Sequence, residues 1–168
     1  MVVAQAEHHT SPVTEARWSP DGASFASCAA ETIKIWDGSS CRCIRTLGRA
    51  HGGAAVTSVS FSSSGKYLLS CGGDSCVKLW DVGSGRLVHT YEGAMPESKA
   101  CCLSHDESFI IAAGEEGCGA IVWSVTSGEV VQRCSPHTRS IGAIAHSPVE
   151  PAFVTCAEGQ VRLWWAES

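Results

Sequence analysis

The sequence predicts an all-β protein made of four repeated propeller blades, on three observations. Trp36, Trp80, Trp123 and Trp164 recur at gaps of 44, 43 and 41 residues. Each closes a short apolar run (IKIW, VKLW, AIVW, VRLW), and Asp37 and Asp81 follow the first two directly. Between the tryptophans lie short alternating segments separated by Gly, Ser, Asp and Pro clusters, the pattern of strands and tight turns. A period of about 40–45 residues ending in Trp-Asp is that of a propeller blade, a four-stranded sheet that cannot bury its faces alone.

The elements follow in order. In the first copy (9–48) the strands are expected at 13–19, 25–28, 33–36 and 43–47, with the turn SPDG at 19–22. The second copy (51–93) is the clearest: strands at 56–62, 67–71, 77–80 and 87–91, with turns SSSG (62–65), GGDS (72–75) and DVGSG (81–85). Gly85 and Gly128 occupy the same turn 43 residues apart, where a positive φ is needed. The third copy (96–135) places strands at 100–104, 109–113, 120–123 and 130–134. The fourth (137–165) has three, at 141–146, 152–156 and 161–164. Residues 1–8 hold a short apolar stretch (2–6), expected to be the outer strand of a preceding blade. Blades of about 40 residues usually come in sevens, so the chain is expected to be an incomplete portion of a seven-bladed propeller. A flattened four-blade closure and completion by a second copy or another subunit stay open.

Composition excludes several classes. The net charge is −5 and the 12 Lys and Arg are scattered, which argues against a sequence-independent grip on nucleic acid. No apolar stretch approaches the ~20 residues of a membrane span, and no membrane association is expected. Ten cysteines might suggest a disulfide scaffold, but Cys28, Cys71 and Cys156 fill one slot in three copies. Equivalent slots of neighbouring blades are usually too far apart to bridge, so reduced core thiols are expected. Cys41, Cys43, Cys101 and Cys102 lack the spacing of a zinc site. No cofactor, metal or small-molecule substrate is implied.

One constellation looks catalytic. His51, Ser70 and Asp74 have the residue types of a hydrolase triad, with Trp80 following. The repeat points elsewhere: His9 and His137 also precede first strands, and Ser27 and Thr155 repeat the hydroxyl slot. An active site does not need copying around a ring, whereas a blade-stabilising network does. His51, Ser70, Asp74 and Trp80 are therefore read as a structural hydrogen-bond chain: Asp74 to His51, His51 to Ser70, Ser70 to the Trp80 indole. Copies one and four are one residue shorter between hydroxyl and tryptophan, with Glu31 and Glu158 near the turn that should carry aspartate. Copy three has Ala113 at the expected hydroxyl slot, and Ser98 or Pro96 near the histidine position.

The Trp-Asp endings, the His51-to-Trp80 spacing and the period resemble the WD-repeat family over nearly the whole chain. The stretches IKIWDGSSCRCIRTLGRAHGGAAV, KYLLSCGGDSCVKLWDVGSGRLVHTYEGA and SIGAIAHSPVEPAFVTCAEGQVRLWW further resemble the last blades of the cleavage stimulation factor subunit 1 family. His146-Ser147-Pro148 and Ala50-His51 carry much of that specificity. The resemblance implies a nuclear, non-enzymatic scaffold in pre-mRNA 3′-end cleavage and polyadenylation, whose partners are other subunits of that complex and whose contact with RNA is indirect at most. The N-terminal dimerisation region and the leading blades of that family are not in this sequence.

Two other uses of the fold have weaker marks in the sequence. A substrate receptor of a ubiquitin ligase often carries Trp-Asp-x-Arg, and here those positions are Ser39 and Gly83. Direct RNA binding needs a basic, aromatic-lined face. Lys34, Lys78 and Arg162 share one slot, but Ile121 interrupts the stripe. Trp165 is the one aromatic the blade does not require, a candidate either to cover an edge or to anchor a partner.

Overall fold

The computed structural model describes residues 9–96, 100–114, 119–134, 137, 140–157 and 159–165. The expectations for residues 1–8, Ser98 and Glu158 lie outside these. Among the described residues there are fifteen strands in four antiparallel sheets and no helix. The first sheet holds β1 (Val13–Trp18), β2 (Ser24–Ala29), β3 (Thr32–Asp37) and β4 (Cys43–Leu47). The second holds β5 (Val56–Phe61), β6 (Tyr67–Gly72), β7 (Cys76–Asp81) and β8 (Leu87–Glu92). The third holds β9 (Cys101–Leu103), β10 (Phe109–Ala113), β11 (Ala120–Ser124) and β12 (Val130–Cys134). The fourth holds β13 (Ala143–His146), β14 (Ala152–Ala157) and β15 (Gln160–Trp165). Every sheet is a meander, each strand pairing with its sequence neighbour, and β1, β5, β9 and β13 succeed one another as neighbours. These first strands therefore line the inside of the stack, and the last strands lie outermost.

All four first strands are shorter than their alternation predicts, β1 and β5 by one residue at the C-terminal end, and β9 and β13 by two in all. β9 covers only Cys101–Leu103, because Ser104 turns to bond Asp106 and to cap the amide of Phe109. β13 starts at Ala143, with Gly142 reaching the Cys156 carbonyl at 2.8 Å.

The core is a set of layers between sheets, as the two-residue period of a strand requires. In β7, Val77 and Leu79 point to the third sheet, where they meet Ile110, Ala112, Ile121 and Trp123. Trp80, one residue out of phase, points to the first sheet and joins Ala26, Cys28, Ile33 and Ile35. The third layer joins Ile111, Ala113, Ala120 and Val122 to Ile141, with Phe153 and Trp164 packed against it. The second, third and fourth sheets thus turn their tryptophan face to the sheet before, and the first three their Val/Ile/Leu face to the sheet after. On the fourth sheet the latter face is uncovered among the described residues. Val161 and Leu163 are 71% and 66% exposed, where their counterparts Ile33 and Ile35 are 0% and 2%.

Each tryptophan strand of the first three sheets slips register against its outer strand just before the indole. The slips lie between Ile35/Trp36, Leu79/Trp80 and Val122/Trp123. The residues passed over, Ile44, Val88 and Val131, are all exposed. These are β-bulges, which bend the outer strand and add to its twist.

Candidate functional site

The strand registers place the hydroxyl slot two residues inward from the partner of each tryptophan. Phe25, Leu68 and Phe153 face Trp36, Trp80 and Trp164, so Ser27, Ser70 and Thr155 come within reach of the indole nitrogens. All three indoles donate to that hydroxyl, at 2.8 Å each. From the other side comes a histidine Nε2: His9 to Ser27 at 2.7 Å, His51 to Ser70 at 2.8 Å, and His137 to Thr155 at 2.6 Å. The histidines precede the first strand of their sheets, so each chain of contacts ties an entry loop to the second and third strands.

The second sheet extends the chain with an acid. His51 Nδ1 lies 2.6 Å from Asp74 Oδ1. The ionised carboxylate only accepts, so Nδ1 carries the proton, and Nε2 is left to accept from the Ser70 hydroxyl. Each donor of the chain then meets an acceptor: the Trp80 N–H donates to Ser70, the Ser70 hydroxyl to His51 Nε2, and the His51 Nδ1–H to Asp74. Lys78 adds a cation, its ammonium 3.1 Å from Asp74 Oδ2 and 2.9 Å from the Ala50 carbonyl. Burial lowers the His51 pKa against the opposing pull of Asp74, so the ring is neutral. Burial pushes the Asp74 carboxyl up, but the His51 N–H and the Lys78 ammonium outweigh it and hold the group below its ordinary value. Gly72 makes the packing possible: a Cβ there would stand 2.3 Å from Cγ of His51.

The other sheets vary this theme. Cys28 and Ile33 pair across a hairpin of four residues, whereas Cys71 and Val77 enclose five, and the extra residue lets Asp74 reach back to His51. His9 therefore has Ser27 but no aspartate, and Lys34 stands 5.5 Å over the Trp36 ring. Burial, then the neighbouring Lys34 or Arg162, lowers the pKa of His9 and of His137. In the third sheet the expected slot needs correction. Trp123 faces Ile110, so the residue two inward is Ala112, paired with Ile121, and not Ala113. The ten-residue spacing of copy two does not hold in copy three, whose hairpin is longer by one. Ala113 lies on the opposite face, in the layer against the fourth sheet.

Lys34, Lys78 and Arg162 each sit directly across from the hydroxyl residue of their sheet, and Ile121 across from Ala112. The sequence showed these cations only as a stripe. The Lys78–Asp74 ion pair does leave a mark in the sequence, since the two residues are four apart on either side of a tight turn. Trp165 lies at the end of β15, 59% exposed, and lines a cleft with Trp164 and Phe153. The nine described cysteines are free thiols, and burial raises the Cys28 thiol to about 11 and Cys102 to about 12. Among the described residues no group of His, Cys, Asp or Glu is placed to hold a metal ion.

The His51–Ser70–Asp74 geometry is that of a triad, and access separates it from one. Ser70 is 0% exposed and His51 1%, and the Ser70 oxygen already accepts the Trp80 N–H. A nucleophile needs an acyl carbon within reach of that oxygen, and here the position is filled by an indole.

The fold agrees with comparisons to known proteins. The WD domain, G-beta repeat family (WD40) matches over residues 2–37, 41–81 and 128–164, and the chain belongs to this family. The span 82–127, which holds the Ala112 variation, is not matched, yet it contains the outer strand of the second sheet and three of the four strands of the third. Cleavage stimulation factor subunit 50 of Arabidopsis thaliana is 35% identical over 160 residues, 93% of this chain and 37% of that protein. Pre-mRNA-processing factor 17 of Homo sapiens is 27% identical over 162 residues, 93% of this chain and 28% of that protein. The solved WD40 repeats of RRP9 superpose with a TM-score of 0.83 at 23% identity, covering 94% of this chain and 49% of that one, a likeness of fold. The chain spans little more than a third of these two curated relatives at most.

Proposed function

We propose that this chain is a non-enzymatic WD-repeat scaffold for protein–protein interaction, acting in the nucleus in pre-mRNA 3′-end cleavage and polyadenylation. The observation that carries this reading is the 35% identity to a cleavage stimulation factor subunit along 93% of the chain. The likeness to a pre-mRNA-processing factor over the same share supports the broader class. The buried hydrogen-bond chains support the non-enzymatic part, since their hydroxyls are sealed under indoles and recur in three sheets. On this reading the blades 9–48, 51–93, 96–135 and 137–165 hold a rigid frame. Its loops and strand edges present side chains to the other subunits of a cleavage and polyadenylation complex. Contact with RNA is left to those partners, because two of the three cations of the shared slot are engaged within the fold, Lys78 with Asp74 and Lys34 over the Trp36 ring.

The test is to tag the protein in its own cells, identify the co-purifying proteins by mass spectrometry, and sequence transcript 3′ ends after depletion. Recovery of cleavage and polyadenylation subunits with read-through beyond normal ends is expected. Recovery of a ubiquitin ligase or a splicing complex instead, with 3′ ends unchanged, contradicts the reading.

A further inference from the structure

The three joints between sheets are built from equivalent positions, and the third is filled differently. Arg45, His89 and Gln132 share one slot on the outer strands, facing Ile35, Leu79 and Val122. Leu47, Tyr91 and Cys134 share the next, facing Ile33, Val77 and Ala120. At the first joint Arg45 crosses to the second sheet, its Nε donating to the Val82 carbonyl at 3.1 Å. At the second joint Tyr91 does so, its hydroxyl donating to the Val125 carbonyl at 3.3 Å, with His89 packed edge-on at 4.7 Å. At the third joint Gln132 and Cys134 are smaller than either pair, and a cleft of about 210 Å³ opens there.

The walls of this cleft are Val122, Cys134, Phe153 and Trp164, and Val131 and Trp165 stand at its rim. Those two rim residues are 56% and 59% exposed. An apolar cavity of about 150 Å³ holds a benzene ring, while sites for whole small molecules run from about 300 Å³. This volume therefore suits one ring-bearing side chain rather than a free ligand. The cleft is not wholly apolar. Asp106 lies at one end, its carboxyl brought down to about 2 first by the Ser104 hydroxyl and then by Ser108, so it is an anion at any physiological pH. Beside it His105 stacks on His146 at 5.6 Å, and His105 Nδ1 is buried without a hydrogen-bond partner.

We propose that the cleft between the third and fourth sheets is a peptide-docking site that takes one aromatic side chain of a partner protein, with a flanking Arg or Lys set against Asp106. The inference rests on the scaffold reading for its biological use, but not for its chemistry. An aromatic ring replaces the contacts that Tyr91 supplies at the second joint, and a neighbouring cation meets the fixed charge at the rim. The chain's own net charge of −5 favours basic segments further.

The test uses the purified protein and three blocked tripeptides, Arg-Trp-Arg, Gln-Trp-Gln and Arg-Ala-Arg, titrated by NMR. Arg-Trp-Arg is expected to bind saturably in the millimolar range, with shifts centred on Val122, Val131, Trp164 and Trp165. Gln-Trp-Gln is expected to bind more weakly, and Arg-Ala-Arg not at all. Replacing Gln132 and Cys134 by the His and Tyr of the second joint (Q132H with C134Y) is expected to weaken Arg-Trp-Arg by about tenfold or more while melting no earlier than the parent. Cys134→Leu, the residue of the first joint, serves if the pair does not fold. Asp106→Asn is expected to remove the preference for Arg-Trp-Arg over Gln-Trp-Gln. No saturable shift, equal binding of Arg-Ala-Arg, shifts centred on the first two sheets, or unchanged binding in the filled variants each overturns the proposal. Because these readouts are physical, they stand whether or not the protein acts in 3′-end processing.

Discussion

His51 shows how burial and hydrogen bonding fix a single side chain, and the pH dependence follows from it. Burial lowers its pKa below the ordinary 6.5, so the unfolded chain takes up a proton at a pH where the folded ring does not. Stability is then full above about pH 6.5 and falls as the pH drops toward the folded value. His9 and His137 are shifted the same way and act in the same sense. Asp74, also lowered, adds stability that is present above its unfolded value and lost only in stronger acid. Urea midpoints measured from pH 7 to about pH 5 are expected to decrease, and His51→Gln is expected to flatten the slope. A midpoint that rises on acidification contradicts this assignment of protons. Gly72 gives a second residue-scale test. Its φ is not positive, so the constraint is steric, and the atom met is the buried His51 ring rather than a mobile tip. Gly72→Ala is expected to cost about 1–3 kcal/mol in equilibrium unfolding, as overpacking does, whereas Gly22→Ala meets no atom and reports only turn strain. Of this site the sequence showed the four members and their order, because the residue types and the repeat constrain one another. It missed Lys78, since a lysine in an alternating strand reads as a solvated rim residue until the hairpin register places it across from Ser70.

At the scale of elements, the strands were legible because alternation and turn chemistry coincide, as in the second sheet with SSSG, GGDS and DVGSG. Where alternation fails, so does the reading. Ala112 and Ala113 look alike, so nothing local tells which one faces Trp123, and only pairing with Ile121 decides it. The bulges at Ile44, Val88 and Val131 carry no sequence mark either, being ordinary β-branched residues that the outer strand passes over. The sheets also differ in how firmly they are held. β6 is buried along most of its length and β7 contributes to two core layers, whereas β9 has three residues and β13 and β15 are largely open to solvent. Native-state hydrogen exchange is expected to be slowest for amides of β6 and β7, approaching the global unfolding free energy, and fastest in β13 and β15. Uniform protection across all four sheets counts against that ordering.

At the scale of the molecule, stability comes from layers shared between sheets, so no sheet has a core of its own. Two of the three layers are clamped by an indole whose N–H is answered by a hydroxyl, Trp80 by Ser70 and Trp164 by Thr155, and in the second sheet that hydroxyl is held by a histidine and an acid. Removing Ser70 leaves the Trp80 N–H and the His51 Nε2 without their buried partner, which costs about 1–3 kcal/mol. Because Trp80 packs on the first sheet while Leu79 packs on the third, that loss is felt across two layers. The period of the tryptophans showed this architecture from the start. The filling of each joint was not visible, because it depends on which outer-strand residues face one another across sheets. The most direct measurement is equilibrium urea unfolding of Ser70→Ala beside the parent, followed by tryptophan fluorescence. A single transition with an unchanged m-value and a stability lower by about 1–3 kcal/mol is expected. An unchanged midpoint, or loss of only a minor early phase while the rest unfolds as in the parent, contradicts a chain of hydrogen bonds that fixes the second sheet on which both neighbouring layers depend.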